Sequence, residues 1–214
     1  MKKLLFLFFL APFCANAQSF DQGYNVFDLR GEVAAYKTVS HDKVQNTSSD
    51  GGAASRLFNL SYERGLLGFL GVGIKMQYDS YFTDADTIHH TPPQNDEIVK
   101  PSVRSFDIAP MVNVHLARGD HFDLPVGVTF GVSFLNYRLN DVNDSRAHGT
   151  GTWFDAHITP RFWFGEHFGM QLNLSYAHFS YPNVIAESSS VSAINAFSLK
   201  GGGVTFGIGF NVRV

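Results

Sequence analysis

Cysteine is nearly absent from this 214-residue sequence: Cys14 is the single one, and it lies in an N-terminal segment typical of a signal peptide. Residues 1–3 are Met-Lys-Lys, residues 4–13 are an apolar run, and residues 15–17, Ala-Asn-Ala, form a small-x-small cleavage site. We therefore predict a cleaved signal peptide over residues 1–17. The mature chain would contain no cysteine, which excludes disulfides and cysteine-ligated metals.

Long hydrophobic runs and basic excess are lacking as well. No stretch of about 20 apolar residues is present, so the sequence predicts no transmembrane helix. Charged residues make up only 16%, and the chain carries 16 Lys and Arg against 19 Asp and Glu. Two of those lysines belong to the predicted signal peptide, so the mature chain is more acidic still. We therefore expect no nucleic-acid partner, and no motif predicts a cofactor.

Strict two-residue alternation is the pattern that the sequence does have. From Val204 to Val214, one face carries Val, Phe, Ile, Phe, Val and Val, and the other carries Thr, Gly, Gly, Asn and Arg. A period of two places successive side chains on opposite faces of a strand. Seven earlier stretches repeat the pattern, and none of their apolar-face positions is Asp, Glu, Lys or Arg. The predicted strands cover about 24–36, 54–64, 69–80, 103–117, 123–137, 152–164, 168–180 and 204–214.

Short and long connections alternate between these strands. The short turns lie at residues 64–68, 117–122 and 165–167, and the long polar loops at 38–52, 82–102, 138–151 and 181–195. This arrangement is typical of a membrane β-barrel. We predict an all-β fold, an eight-stranded antiparallel up-and-down transmembrane β-barrel, formed by a single domain over residues 18–214. The even number of strands returns both termini to the short-turn side, the periplasm.

A soluble lipocalin-like barrel that binds a ligand is the alternative, because alternation alone does not say which face is inside. Two features favour the membrane barrel. The polar face is rich in small residues that suit a narrow lumen, and aromatic residues gather near the strand ends, as in interfacial girdles.

With these features, the chain resembles the small eight-stranded outer-membrane barrels, the family of the outer-membrane protein A and X transmembrane domains. The resemblance covers nearly the whole mature chain, although that family usually ends on an aromatic residue and this chain ends on Val214, with Phe210 four residues earlier. It implies a Gram-negative outer-membrane location. The implied partners are membrane lipid, lipopolysaccharide, the barrel assembly machinery and unknown partners of the four extracellular loops.

The polar face predicts a charged lumen at middle or upper height. Its candidate residues are Arg30, Glu32, Lys75, Asp107, His157 and Arg161. Because an uncompensated buried charge costs several kcal/mol, we expect Lys75 and Arg161 to face Glu32 and Asp107. The main hypothesis is a salt-bridged plug in a structural or surface-interaction protein, and the alternative is a gated proton or ion path. Pro110 and Pro160 fall within strands four and six, where we expect bulges or kinks.

One local segment is similar to the His-x-Ser-Asn signature of outer-membrane lipid A 3-O-deacylases. The resemblance implies Ser180 as nucleophile and His178 as its base on the lipid-facing rim. Tyr181 stands where the signature has Asn, and Glu187 is the acid that follows in the chain. A lipid A esterase is therefore the alternative function, whereas we favour no catalytic residue.

The second long loop contains His89 and His90 near four carboxylates, Asp84, Asp86, Asp96 and Glu97. Their spacing does not match that of a structural zinc site. We therefore predict a solvated loop and no metal site.

Overall fold

Antiparallel strands make up most of the computed structural model, which describes residues 20–83, 86–88, 97–139, 145–187 and 195–214. The strands are β1 (Asn25–Asp42), β2 (Thr47–Leu67), β3 (Leu70–Phe82), β4 (Asp86–Ile88), β5 (Glu97–Val99), β6 (Pro101–Arg118), β7 (Phe122–Leu139), β8 (Arg146–Ile158), β9 (Arg161–Trp163), β10 (Phe168–Ala186) and β11 (Phe197–Arg213). Within these ranges, no helix has the length and apolar character needed to cross a membrane.

The strands form a closed ring. β1, β2, β3, β6, β7, β8, β10 and β11 pair in that order, and β11 pairs back onto β1. β9 continues β8 and pairs with the same two neighbours, so the two segments together occupy one strand position in the barrel wall. We call each such position a stave. The ring therefore has eight staves, which confirms the predicted up-and-down barrel. β4 and β5 form a separate two-stranded hairpin.

The strands are strongly tilted. When the cross-strand pairs are followed once round the ring from Val33, in the middle of β1, they lead back to β1 beside Asp42, at its C-terminal end. Such a stagger is what closes eight strands into a barrel that is just wide enough for side chains to fill.

The two faces of the wall differ in polarity as predicted. On β1, Phe27, Leu29 and Val33 are exposed on the outer face, whereas Asp28, Arg30 and Glu32 are buried inside. The same order holds on the other staves. The soluble, lipocalin-like alternative is therefore wrong, because it requires the apolar face to line the interior.

Several strands extend beyond the predicted limits. β1 and β2 pair as far as Asp42 and Thr47, so most of the predicted loop 38–52 is a β-hairpin with its tip at residues 43–46. β10 continues to Ala186 past a register shift between Tyr181 and Val184, and β11 begins at Phe197. The β1–β2 extension is mainly polar on both faces, so it lacks the apolar alternation on which the sequence prediction depended, and the β10 extension is interrupted by its register shift.

The two mid-strand prolines behave differently. Pro160, with Thr159, separates β8 from β9, as predicted for a proline that interrupts a strand. Pro110 lies inside the continuous β6, opposite Ile74, and the register with β7 is the same on either side of it. The bulge expected at Pro110 is therefore wrong, because this proline lacks a hydrogen-bond donor but inserts no extra residue.

Candidate functional site in the barrel lumen

All six predicted lumen residues are buried on the inner face of the barrel. They do not form one group at one height. We call the end with the turns at residues 68–69, 119–121 and 164–167 the short-turn end, and the opposite end the long-loop end. The side chains separate into clusters between these ends, and the pairs differ from those predicted.

Arg161 lies in the cluster at the short-turn end, not at middle or upper height. Its guanidinium donates to Asp28 at 2.9 Å and to Glu63 at 2.7 Å, and lies 3.4 Å from Asp123. All four side chains are almost fully buried. One cation therefore faces three carboxylates.

His115 completes this cluster. Its two ring nitrogens lie 2.7 Å from the Asp123 carboxylate and 2.8 Å from the Glu63 carboxylate, so it bridges two of the acids that contact Arg161. Phe20 stacks on the imidazole, with ring centroids 3.4 Å apart and planes 10° from parallel. Phe20, Val26 and Trp163 form a small buried group that we call the lower apolar layer.

The central cluster is built around Lys75 and Asp155. The Lys75 ammonium lies 3.2 Å from the Asp155 carboxylate and 4.8 Å from the centre of a Trp153 ring. His157 lies between Asp155, at 2.8 Å from its Nδ1, and Asn113, at 2.9 Å from its Nε2. The lysine is thus paired across the lumen with an acid on β8, three positions round the ring from β3.

Arg30 and Glu32 form a third group. Both project inward from β1 and form an ion pair at 3.4 Å. Arg30 also donates to the Asn173 side-chain oxygen at 3.2 Å. The predicted pairing of Lys75 and Arg161 with Glu32 and Asp107 is therefore wrong.

Asp107 belongs to the cluster nearest the long-loop end. It accepts hydrogen bonds from Gln77, at 3.2 Å, and from the Ser133 hydroxyl. Ser133 in turn lies 2.5 Å from the Tyr181 hydroxyl. No cation contacts Asp107 in the part of the chain that the structure describes, so neutral donors satisfy this carboxylate.

An aromatic layer covers that cluster. Phe179 packs edge-on against Tyr36, with centroids 5.3 Å apart, and tilted against Tyr181 at 5.6 Å. Together with Trp153 and smaller apolar residues they form a continuous buried group. We call Tyr36, Trp153, Phe179 and Tyr181 the upper apolar layer. The charged clusters thus lie between two apolar layers.

Glycines on the inner face make room for the charged side chains. A Cβ added at Gly207 would collide with the Glu32 side chain, and one added at Gly71 would collide with the Glu63 carboxylate. The small residues that the sequence places in the lumen are therefore the space into which the large charged ones fold.

Sequence reasoning missed two members of the cluster at the short-turn end: Glu63 and Asp123. The signal was available in part, because Glu63 and Asp123 have inward parity on their strands. Both lie within a few residues of a predicted turn, where the apolar pattern fades. Which inward residues meet across the lumen depends on the tilt of the strands, which alternation does not contain.

The esterase residues are not assembled. His178 and Ser180 both project outward from β10, and the described contacts include no hydrogen bond between them. Glu187 instead lies 4.0 Å from His148. Tyr181, at the position of the signature's asparagine, projects into the lumen and is buried.

No group of three metal-ligating side chains occurs among the described residues. His89 and His90, the candidate metal ligands of the second loop, lie outside the described residues, as do Asp84 and Asp96. The prediction for that loop stays a prediction.

Two solved outer-membrane proteins are similar in structure to this chain. The outer membrane protein OprG from Pseudomonas aeruginosa superposes with a TM-score of 0.58 at 11% identity, over 93% of this chain and 99% of that one. This chain folds as an outer-membrane β-barrel. The outer membrane protease OmpT from Escherichia coli superposes with a TM-score of 0.53 at 9% identity, over 90% of this chain and 97% of that one. No protein-family model and no curated protein matches the sequence.

At sequence identities of 11% and 9%, the structural similarity shows a shared fold and nothing more. The predicted resemblance to small outer-membrane barrels and the transmembrane β-barrel are confirmed. A shared barrel does not carry a shared activity, because function resides in sites that differ between proteins of one fold.

Proposed function

We propose that this outer-membrane barrel does not conduct, and that it serves as a structural and surface-interaction protein of a Gram-negative envelope. The observation that carries the proposal is the filled lumen. Paired charges occupy its middle, and the upper and lower apolar layers lie on either side of them. An ion that entered would have to leave water for a space already occupied by side chains, which is costly.

The proposed orientation places the long-loop end outside the cell and both termini in the periplasm. The difference between the two ends supports it, because outer-membrane barrels have short periplasmic turns and long extracellular loops. The β1–β2 hairpin, with its tip at residues 43–46, lies at the long-loop end. In this role its tip and the other loops present the contact surface, and the outer wall contacts lipid and lipopolysaccharide.

The fully paired wall also bears on how the protein reaches the membrane. A closed ring satisfies its backbone groups only when the first and last staves have met. We therefore include the barrel assembly machinery among the proposed partners.

Conductance across a planar bilayer tests the plug. Purified protein reconstituted from detergent should give no stable single-channel openings, whereas a known porin in the same bilayer gives them. Replacing the aromatic rings of the upper apolar layer, in Phe179→Ala with Trp153→Ala, should increase ion leakage if that layer contributes to the seal. Large, stable openings of the unmodified protein would refute the proposal.

A further inference from the structure

Three polar residues lie side by side on the outer wall, directly above its aromatic band. Arg56 on β2 is paired in register with Ser80 on β3, and Ser80 with Arg104 on β6. All three project outward, since their immediate neighbours along each strand project inward and are buried or, in the case of Tyr81 and Val103, partly buried against the group that includes the upper apolar layer. Adjacent strands are about 4.8 Å apart, so two guanidinium groups flank one hydroxyl within reach of a single anion.

Closer to the short-turn end, the outward-facing residues of β2, β3 and β6 form two further rows, and the residue type changes from row to row. Two residues closer to the short-turn end, Phe58, Tyr78 and Phe106 are paired across the same three strands and exposed. The next outward row consists of Leu60, Met76 and Ile108. Cationic, aromatic and aliphatic rows thus follow one another down the wall. A phosphorylated lipid has the same order, with a phosphate, an interfacial region and acyl chains.

A surface cavity connects the first two rows. It has a volume of about 320 Å³ and is lined by Arg56, Leu57, Phe58, Tyr78, Ser80 and Arg104. A larger cavity of about 740 Å³ adjoins it toward the long-loop end and shares Arg56, Ser80 and Arg104. Lys100, Arg138 and Arg146 also line that larger cavity, and Glu187 is the carboxylate among its described lining residues. Among the described lining residues, cationic side chains therefore outnumber anionic ones.

The two arginines differ from the arginines in the lumen. Arg161 and Arg30 are each bound to carboxylates. Arg56 and Arg104 take part in no ion pair or side-chain hydrogen bond with any residue that the structure describes. The adjacent outward positions on their strands, Ala54, Phe58, Ser102 and Phe106, carry no carboxylate. An arginine pair that has no counter-ion among the described residues, at the upper edge of an apolar wall, complements an anion supplied by the membrane.

We propose that Arg56, Ser80 and Arg104 bind the phosphate group of a lipid in the outer leaflet, with the acyl chains lying along the rows of Phe58 and Leu60. Planar guanidinium groups suit this task, because they donate pairs of hydrogen bonds to phosphate oxygens. The chemical class that fits is a phosphorylated glycolipid of the lipid A type. This inference rests on the proposed orientation, which places this end of the barrel outside.

Lipid binding to the full-length mature protein in detergent tests the site. We expect native mass spectrometry to show lipid A retained by the unmodified barrel, and at least tenfold weaker binding to the double variant Arg56→Gln with Arg104→Gln. Lipid A from which both phosphates have been removed should bind both proteins equally weakly. Inorganic phosphate should not displace lipid A, because the aromatic and aliphatic rows contribute to its affinity.

Arg64→Gln provides the matched control. Arg64 projects outward from the same strand, β2, but lies near the short-turn end. This variant should bind lipid A like the unmodified protein. Equal binding by the double variant, equal loss in Arg64→Gln, or displacement by inorganic phosphate at similar concentration would each overturn the inference. Circular dichroism melting of each variant checks folding, and the single variants Arg56→Gln and Arg104→Gln replace the double one if it does not fold.

The result is independent of the plug. A barrel that conducts can still bind lipid A through these residues, and one that does not conduct can fail to bind it. Conductance therefore tests the proposed function, and the phosphate-dependent difference between Arg56 and Arg64 tests the site.

Discussion

Arg161 is the residue whose removal should disturb the lumen most. It is the cation that contacts Asp28, Glu63 and Asp123, and all of these groups are buried. Arg161→Ala leaves three carboxylates without it, and breaking a buried pair in this way destabilises by about 3–5 kcal/mol. Chemical unfolding of the detergent-solubilised protein, followed by circular dichroism, measures this loss.

Arg64→Ala is the control for that measurement, because Arg64 is exposed on the outer face. A surface change of this kind alters the free energy of unfolding by about 0.5 kcal/mol or less. Similar stability of the two variants would show that the cluster at the short-turn end tolerates unpaired carboxylates.

At the residue scale, the sequence predicts which side chains face the lumen but not which of them meet. Inward parity follows from alternation along one strand, so Arg30, Lys75 and Arg161 could all be placed inside. The partner of Lys75 is Asp155, three staves further round the ring, and whether these two side chains meet depends on the tilt of the strands and the closure of the ring. Neither the tilt of the strands nor the closure of the ring can be predicted from a local sequence pattern.

The tip of the β1–β2 hairpin is held by Asp42. Its carboxylate accepts hydrogen bonds from the backbone N–H groups of Val44, at 2.7 Å, and Gln45, at 2.9 Å, and from the Asn195 side chain at 3.0 Å. Asn46 has a positive φ of 55°, which closes the turn. The hydrogen bond from Gln45 and that from Asn195 hold the pKa of Asp42 below its usual value.

We therefore expect acid to loosen this tip. Because the pKa of Asp42 is lower in the folded protein, its contribution to stability is complete above the usual aspartate pKa of about 4. This contribution is lost as the pH falls through the lower pKa that Asp42 has in the folded protein. Amide chemical shifts of Val44 and Gln45, followed by NMR, should titrate with a midpoint below about 3.9. Asp42→Asn should abolish this titration but keep the turn, and a midpoint at or above that value would contradict the prediction.

The elements themselves were predictable wherever one face meets lipid. The central parts of all eight staves match their predicted ranges, because a lipid-facing wall enforces apolar alternation. Above that wall β1 and β2 continue through Ser40 and Ser49, where both faces are polar and the strand has no periodic signature. Pro160 interrupts a stave and Pro110 does not, although both prolines have the same place in the alternating pattern.

The orientation of the whole molecule is testable because the predicted mature chain has no cysteine. Gln45→Cys places a thiol at the tip of the β1–β2 hairpin, and Asp120→Cys places one in a turn at the short-turn end; both positions are exposed. In intact cells, a membrane-impermeant maleimide should label Gln45→Cys and leave Asp120→Cys unlabelled. After the outer membrane is broken, both should react.

The reverse labelling pattern would place the short-turn end outside. That result would remove the basis for assigning Arg56 and Arg104 to the outer leaflet, while the closed fold would stand. Labelling at both positions in intact cells indicates a leaky membrane, so a periplasmic marker protein is probed in parallel to exclude that condition.

The seam between β1 and β11 has a consequence for how the protein is made. These strands are paired along almost their whole length, from Val26 opposite Arg213 to Asp42 opposite Phe197. During synthesis β1 emerges first and β11 last, so for most of the chain's translation the first strand has no partner on one edge. Unpaired edges recruit other strands. The ring can therefore close only after β11 has been made, and a premature stop codon anywhere before β11 yields a product that cannot close.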